Sequence, residues 1–161
     1  RHADIVSIFP SVASGSIGWP GWAQGSTIEH TAEQTAWAYT GAREAGRSPD
    51  AIELSTQIGF TAVSRDPRAL QQSIAKMTGA EPALQDASTV FLTGTPAEAR
   101  ERLLRRREAT GLSYFIVFDL ANNYANTDGL VPALPGDSGP GAGDRYLEAF
   151  AEEIVRPLTG Q

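Results

Sequence analysis

Polar side chains that could bind a small molecule stand in or directly after three apolar runs of the chain. Ser11 follows the run Ile5–Phe9, Gln57 lies within residues 52–63, and Asp119 follows the run Tyr114–Phe118. A hydroxyl or an amide at such a place can hydrogen-bond the edge of a ligand, and a carboxylate can orient a substrate or relay a proton. The alternative is that these groups only satisfy nearby backbone groups or cap a turn.

Two tryptophans, Trp19 and Trp22, fall in a Gly- and Pro-containing stretch that we predict to be a loop over residues 14–26. Large flat side chains give much contact area at small entropic cost, so the pair could line an aromatic-binding pocket. The alternative is a small apolar cluster beneath the loop. Trp37 falls in a predicted helix and is expected in the core.

The remaining ionisable groups favour no catalytic centre. His30 stands at a helix start, where it is expected to be solvated. The arginine run at 105–107 is predicted to lie on an exposed helix face, because neighbouring residues pair at i, i+4 spacing (Glu98 with Arg102, Glu101 with Arg105). No metal site is predicted, since there are no cysteines and only two histidines.

The composition limits the partners. A net charge of -6 argues against nucleic acid and anionic lipid. No stretch reaches the roughly 20 apolar residues that would span a membrane. We therefore predict a cytoplasmic protein that binds neither a membrane nor nucleic acid and whose ligand is a small molecule.

The sequence predicts that these groups are positioned by alternating strands and helices. The apolar runs Ile5–Phe9, 52–63 and Tyr114–Phe118 predict three strands. Right-handed crossovers make them parallel. The first is expected to be central, and the last, which has no polar interruption, to be covered on both faces.

Capping signals place the helices. Ser26 or Thr31 begins the first and Gly46 ends it. The second follows Asp66-Pro67 and ends at Gly79, and the third runs from the cap Thr95 to Gly111. A last helix is predicted to begin at Asp144 and to stop at Pro157. Residues 80–93 fit either a short strand or a buried turn around Val90–Leu92.

These elements form three βα units, which predict an α/β fold that is incomplete as it stands. Three units are too few to close a barrel of eight, which needs about 250 residues. An open three-stranded sheet would expose two apolar edges. We expect the chain to be the last portion of a larger enzyme, with a missing N-terminal part covering the edges.

Four phrases along the chain resemble, in the same order, segments of the bacterial luciferase-like oxidoreductases and monooxygenases. They are Arg1–Val6, Glu44–Leu54 (EAGRSPDAIEL), Thr93–Ala99 (TGTPAEA) and Ala109–Tyr114 (ATGLSY). Each phrase is moderately specific by itself, and the order and spacing carry the resemblance. The sequence is most similar to the deazaflavin-dependent actinobacterial branch.

The resemblance implies that residues 1–161 are the C-terminal segment of a single (β/α)8 TIM barrel domain, namely strands six to eight, with a long loop at 120–143 after the last strand. It implies FMN or coenzyme F-420 as cofactor, hydride transfer or oxygenation of a small organic substrate, and a homo-oligomer. The family's acid/base residues and glycine-rich phosphate turn precede this segment, so no catalytic residue is assigned. The cofactor- or substrate-binding candidates are Ser11, Trp19, Trp22, Gln57 and Asp119.

Two other functions stay open. The chain could be a non-enzymatic, truncated half-barrel that acts as an interaction module through its open edges. A different (β/α)8 hydrolase is disfavoured, because the sequence shows neither a nucleophile nor a metal set.

Overall fold

The computed structural model describes residues 4–9, 19–63, 67–117 and 142–159. Strands and helices alternate along these ranges, as expected of an α/β protein. The strands are β1 (Ile5–Ile8), β2 (Glu53–Ile58), β3 (Phe60–Val63), β4 (Phe91–Gly94) and β5 (Tyr114–Val117). The helices are α1 (Trp19–Gln24), α2 (Ile28–Glu44), a short 3-10 turn (Pro49–Ala51), α3 (Pro67–Thr78), α4 (Pro82–Ala87), α5 (Pro96–Thr110), α6 (Ala142–Phe150), a π-helical turn (Ala151–Val155) and α7 (Arg156–Thr159).

Helix α5 begins and ends where the sequence predicts. The Oγ1 atom of Thr95 accepts a hydrogen bond from the backbone N–H of Glu98, and the Glu98 carboxylate accepts from the backbone N–H of Thr95 at 2.7 Å. This reciprocal pair satisfies two N–H groups that the first helical turn leaves without partners. Gly111 closes the helix in the left-handed conformation at φ 74°.

The first two helices differ from prediction. Residues 19–24, predicted as loop, form α1, whose Ala23 is fully buried. Helix α2 is capped by Thr27 rather than by Ser26 or Thr31. Ser26 is unavailable as a cap because its hydroxyl bonds the carbonyl of Trp22 and the hydroxyl of Ser88, each at 2.7 Å.

The C-terminal helix also differs from prediction. It begins at Ala142, so Asp144 lies in its first turn. It continues through the π-helical turn Ala151–Val155 and then past Pro157 to Thr159. The N–H of Arg156 bonds the carbonyl of Ala151, five residues earlier. Pro157 then lies in the first turn of α7, where a helix does not require an N–H. The predicted stop at this proline is therefore wrong.

The three strand pairings within the described ranges are all parallel, which confirms the predicted direction of the strands. The order is β1-β2-β5 in one sheet and β3-β4 in the other. The segment predicted as one strand, 52–63, divides at Gly59 between the two sheets. Because β4 adds a further strand, the chain is more elaborate than the predicted three βα units.

The three-stranded sheet is covered by helices on one of its faces. That face bears the alternate residues Val6, Ile8, Leu54, Ile58, Phe115 and Val117, which belong to two apolar clusters with residues of α2, α5, α6 and the π-helical turn. The opposite face is more exposed: Ile5 is 51% and Tyr114 48% accessible. The expectation that the last strand is covered on both faces is therefore wrong for the described residues, and β1, predicted as central, lies at an edge.

The two-stranded sheet is the better buried one. Phe60 and Phe91 pair across it and pack with Ala23 of α1 and Leu70 and Ile74 of α3. On its other side Leu92 packs with Ala99 and Leu103 of α5. Residues 91–94, left undecided between strand and turn from sequence, are strand β4 because both faces are covered.

Candidate functional site

The less covered face of the β1-β2-β5 sheet bears polar side chains that belong to none of the three apolar clusters. Residues paired across parallel strands share a face. Ser55 is therefore flanked by Ser7 and Tyr114, Gln57 by Ile116, and Glu53 by Ile5. None of these seven side chains belongs to the three apolar clusters.

On this face a polar central strand, here called the floor, lies between two largely apolar outer strands, here called the walls. The floor is the central strand β2, which presents Glu53, Ser55 and Gln57 and is followed by Gly59. The walls are the neighbouring strands, which present Ile5 on one side and Tyr114 and Ile116 on the other. We call these residues, with Ser7, the trough. Such an arrangement suits a flat ligand with a polar edge.

The floor of the trough is fixed by a hydroxyl pair. The Oγ atoms of Ser7 and Ser55 lie 2.7 Å apart, and Ser55 is fully buried. At the amino end of the trough, the hydroxyl of Ser113 donates to the Glu53 carboxylate at 3.1 Å.

Gln57 is the predicted site residue that the structure places in the trough. Its side chain is half-buried, and no described residue hydrogen-bonds its amide. Phe9 directly follows Ile8, whose register partner Thr56 directly precedes Gln57, and Phe9 is 54% exposed. Gln57 therefore offers one donor and one acceptor group between two apolar neighbours.

The other predicted site residues are not brought to the trough in the described ranges. Ser11 and Asp119 lie outside those ranges. Trp19 and Trp22 lie on α1, which belongs with α4 to the layer on the second sheet, and Trp22 is exposed. Trp37 lies on α2 as predicted, but the expectation that it is in the core is wrong, since it is 66% exposed. His30 stands on α2 with its Nδ1 atom 3.6 Å from Glu33, as expected for a residue at a solvated helix start.

A second polar cluster lies beside β4 and holds four elements together. Arg102 of α5 pairs with Asp86 of α4 at 2.7 Å and donates to the hydroxyl of Thr93 at 3.0 Å. Gln71 of α3 donates to the same Asp86 carboxylate at 2.9 Å. These groups satisfy one another, so the cluster is structural.

Arg106 contradicts the prediction that the arginine run is an exposed helix face. It is fully buried, and it donates to the backbone carbonyls of Ser88 at 2.7 Å, Thr89 and Phe91. Burial, together with repulsion from Arg102 and Arg105, lowers the pKa of Arg106 to about 9. The signal was present in the sequence, because Arg106 falls on the same helical stripe as three buried residues (Ala99, Leu103 and Thr110).

The described ranges show neither a metal-binding cluster nor a membrane-spanning helix. They contain no group of three or more His, Cys, Asp or Glu residues arranged to hold a metal ion. No helix within them has the length and apolar character needed to cross a membrane.

Comparison with protein-family models and with curated proteins finds no match. Among solved structures, the chain is similar to riboflavin lyase (RcaE), crystallised with modified FMN and its substrate riboflavin. The sequence identity is 15% and the TM-score 0.47; the match covers 92% of this chain and 43% of the lyase chain. The chain thus spans less than half the length of that protein.

Proposed function

We propose that the chain is part of a luciferase-like oxidoreductase that uses FMN or coenzyme F-420, and that its strands β1, β2 and β5 are strands six, seven and eight of a (β/α)8 barrel. The observation that carries this proposal is a parallel sheet with helices on one face and a trough on the other. In such barrels the helices lie outside, and the inward side chains face the other strands. The four sequence phrases that resemble the family support the same assignment.

The residues of the trough fit a flat cofactor ring. Apolar side chains, Phe9 and Ile116, are available to contact the faces of a ring, and Gln57 can hydrogen-bond a polar edge. When bound, a flavin or deazaflavin supplies the hydride chemistry, and the protein orients the reactants and excludes water. We assign these two tasks to the trough.

The carboxyl ends of parallel strands in one barrel point to the same mouth, where active sites of this architecture are found. Ser11 and Asp119 follow β1 and β5 in the sequence. We therefore assign both residues to that mouth, as groups that contact the small organic substrate.

The test is a titration of FMN and of F-420 into the protein as its gene encodes it, followed by absorbance and fluorescence. We expect one of the two to bind in a 1:1 ratio. Ile116→Glu, which places a charge in the trough, should abolish binding. Leu104→Glu is the matched control, because Leu104 is an exposed apolar residue on α5. A protein that binds neither cofactor contradicts the proposal.

The alternative function, an interaction module, is favoured by one observation. Three large side chains in or next to the sheet (Ile5, Phe9 and Tyr114) are about half exposed, and contiguous exposed apolar surface commonly marks a protein interface. If this is the function, the protein should be colourless, and Ile5→Glu should lower its molecular mass in light scattering. An unchanged mass together with cofactor binding would exclude it.

A further inference from the structure

We propose that Gln57 selects ligands that carry a cyclic imide edge, in which one N–H stands between two carbonyl groups. This inference rests on the proposed function, because it concerns the ligand of the same trough. It goes further by naming the chemical group that is recognised and the residue that recognises it.

The first step is the position of the amide. Gln57 lies on the central strand of the three, and its register partner on β5 is Ile116. Phe9 directly follows the last paired residue of β1, Ile8, whose partner Thr56 directly precedes Gln57. An amide between two apolar neighbours is most stable when its polar groups are hydrogen-bonded, since a desolvated amide without a partner is costly.

The second step is that the nearest polar groups on the floor are already engaged. Ser7 and Ser55 bond each other at 2.7 Å, and Ser55 is inaccessible to solvent. Glu53 accepts from Ser113 at the amino end of the trough. Among the floor side chains that the structure describes, Gln57 is therefore the one whose polar atoms hydrogen-bond no described residue.

The third step is chemical complementarity. A carboxamide presents an N–H donor and a C=O acceptor side by side. An imide edge presents a C=O acceptor next to an N–H donor, so the two groups can form a pair of parallel hydrogen bonds. Both FMN and F-420 carry this edge on their ring systems. Gln57 is thus expected to recognise a feature shared by both cofactors.

The experiment compares FMN with 3-methyl-FMN, whose imide nitrogen cannot donate, and repeats the titration with F-420. The wild-type protein should prefer FMN by about tenfold, the usual effect of one hydrogen bond. Gln57→Leu should lower FMN affinity by about tenfold and bring the preference for FMN close to one. Gln72→Leu, an exposed amide on α3, is the matched control and should leave both unchanged.

Gln57→Glu gives a second, independent readout. The carboxylate can still accept from the imide N–H but cannot donate to the carbonyl, so affinity should fall while the preference for FMN persists. If wild-type protein binds FMN or F-420 and both Gln57 variants bind and discriminate as it does, the role of Gln57 is overturned and the proposed function stands. If wild-type protein binds neither cofactor, both proposals fall. The cofactor that binds more tightly is the one whose imide edge Gln57 is expected to recognise in the natural protein.

Discussion

The guanidinium of Arg100, on α5, donates a hydrogen bond to the backbone carbonyl of Glu153, which stands four residues before Pro157. In an α-helix that carbonyl would accept from the N–H of residue 157, and proline has none. The side chain of a neighbouring helix therefore provides the donor that the local sequence cannot. This contact ties the C-terminal helix to α5 beside the π-helical turn.

We expect Arg100→Met to lower the free energy of unfolding by about 1 kcal/mol, because it removes this donor while keeping an apolar stem of similar length. Urea denaturation measures the change. In a Pro157→Ala background, residue 157 regains its N–H, so the cost of Arg100→Met should be smaller. Equal costs in the two backgrounds would mean that the residues are not coupled.

Arg106→Met should be among the most destabilising substitutions in the chain. It removes a buried cation but leaves three backbone carbonyls without their donor, with an expected loss of about 3 kcal/mol. The adjacent exposed Arg105→Met is the control and should change stability by less than about 0.5 kcal/mol. Similar losses for both variants in urea denaturation would contradict the assigned role of Arg106.

Glu98 should make the stability of the protein depend on pH. Hydrogen bonding from the backbone N–H of Thr95 lowers the pKa of Glu98 below its ordinary value of 4.5. A carboxylate whose pKa is depressed in the folded state stabilises the fold above its unfolded pKa, and the contribution is lost as pH falls through the folded pKa. The difference in unfolding free energy between wild type and Glu98→Gln should therefore be largest near neutral pH and shrink below pH 4.5.

The magnitude expected for Glu98→Gln is modest, about 0.5 kcal/mol at neutral pH, because the carboxylate is solvent-exposed. Glu101→Gln, one turn farther along the same helix, lies outside the capping box and serves as the control. A difference that grows as the solution is acidified would be inconsistent with the capping geometry.

Two buried threonines of the segment 52–63 should respond in opposite directions to substitution by valine. The hydroxyl of Thr56 donates to the carbonyl of Ile8 at 3.0 Å, whereas that of Thr61 is buried without a hydrogen-bond partner among the described residues. Thr61→Val should therefore stabilise the protein by about 1 kcal/mol, and Thr56→Val should destabilise it by a similar amount. Thermal unfolding of the two variants measures the contrast, and a shift in the same direction for both would refute it.

The sequence was most informative where the relevant signals are local. The capping box at Thr95 and the left-handed Gly111 lie within a few residues of the helix ends that they determine, so α5 was predicted correctly. The parallel direction of the strands followed from the alternation of helices and strands.

The failures concern interactions between residues distant in sequence. Ser26 does not cap α2 because its hydroxyl is bonded to Ser88, 62 residues away. Pro157 does not end the last helix, which continues through a π-helical turn next to the contact from Arg100. Arg106 hydrogen-bonds three backbone carbonyls 15 to 18 residues earlier in the chain, which a count of neighbouring charges cannot reveal. Its place on the buried stripe of α5 was the sequence signal that this count overlooked.

The candidate site was only partly accessible to sequence reasoning. Gln57 was chosen for its place near a strand end, yet its flanking by Ile116 depends on the register between β2 and β5. Ser7 and Ser55 were missed. The alternation of Leu54, Thr56 and Ile58 with Ser55 and Gln57 was a usable signal, since it separates the two faces of the strand.

At Gly59 the backbone passes from the first sheet to the second. This passage fixes the backbone of Gln57 from two sides. Strand β2 is clamped laterally by β1 and β5, and three residues beyond Gln57 the same backbone is anchored again at Phe60 inside the second sheet. The backbone of Gln57 is thus held in place before a ligand binds, so the entropy lost on binding is confined to the Gln57 side chain and the ligand. Conversely, a substitution that disturbs the β3-β4 sheet is expected to shift the backbone of Gln57 as well, because only Gly59 separates β2 from β3.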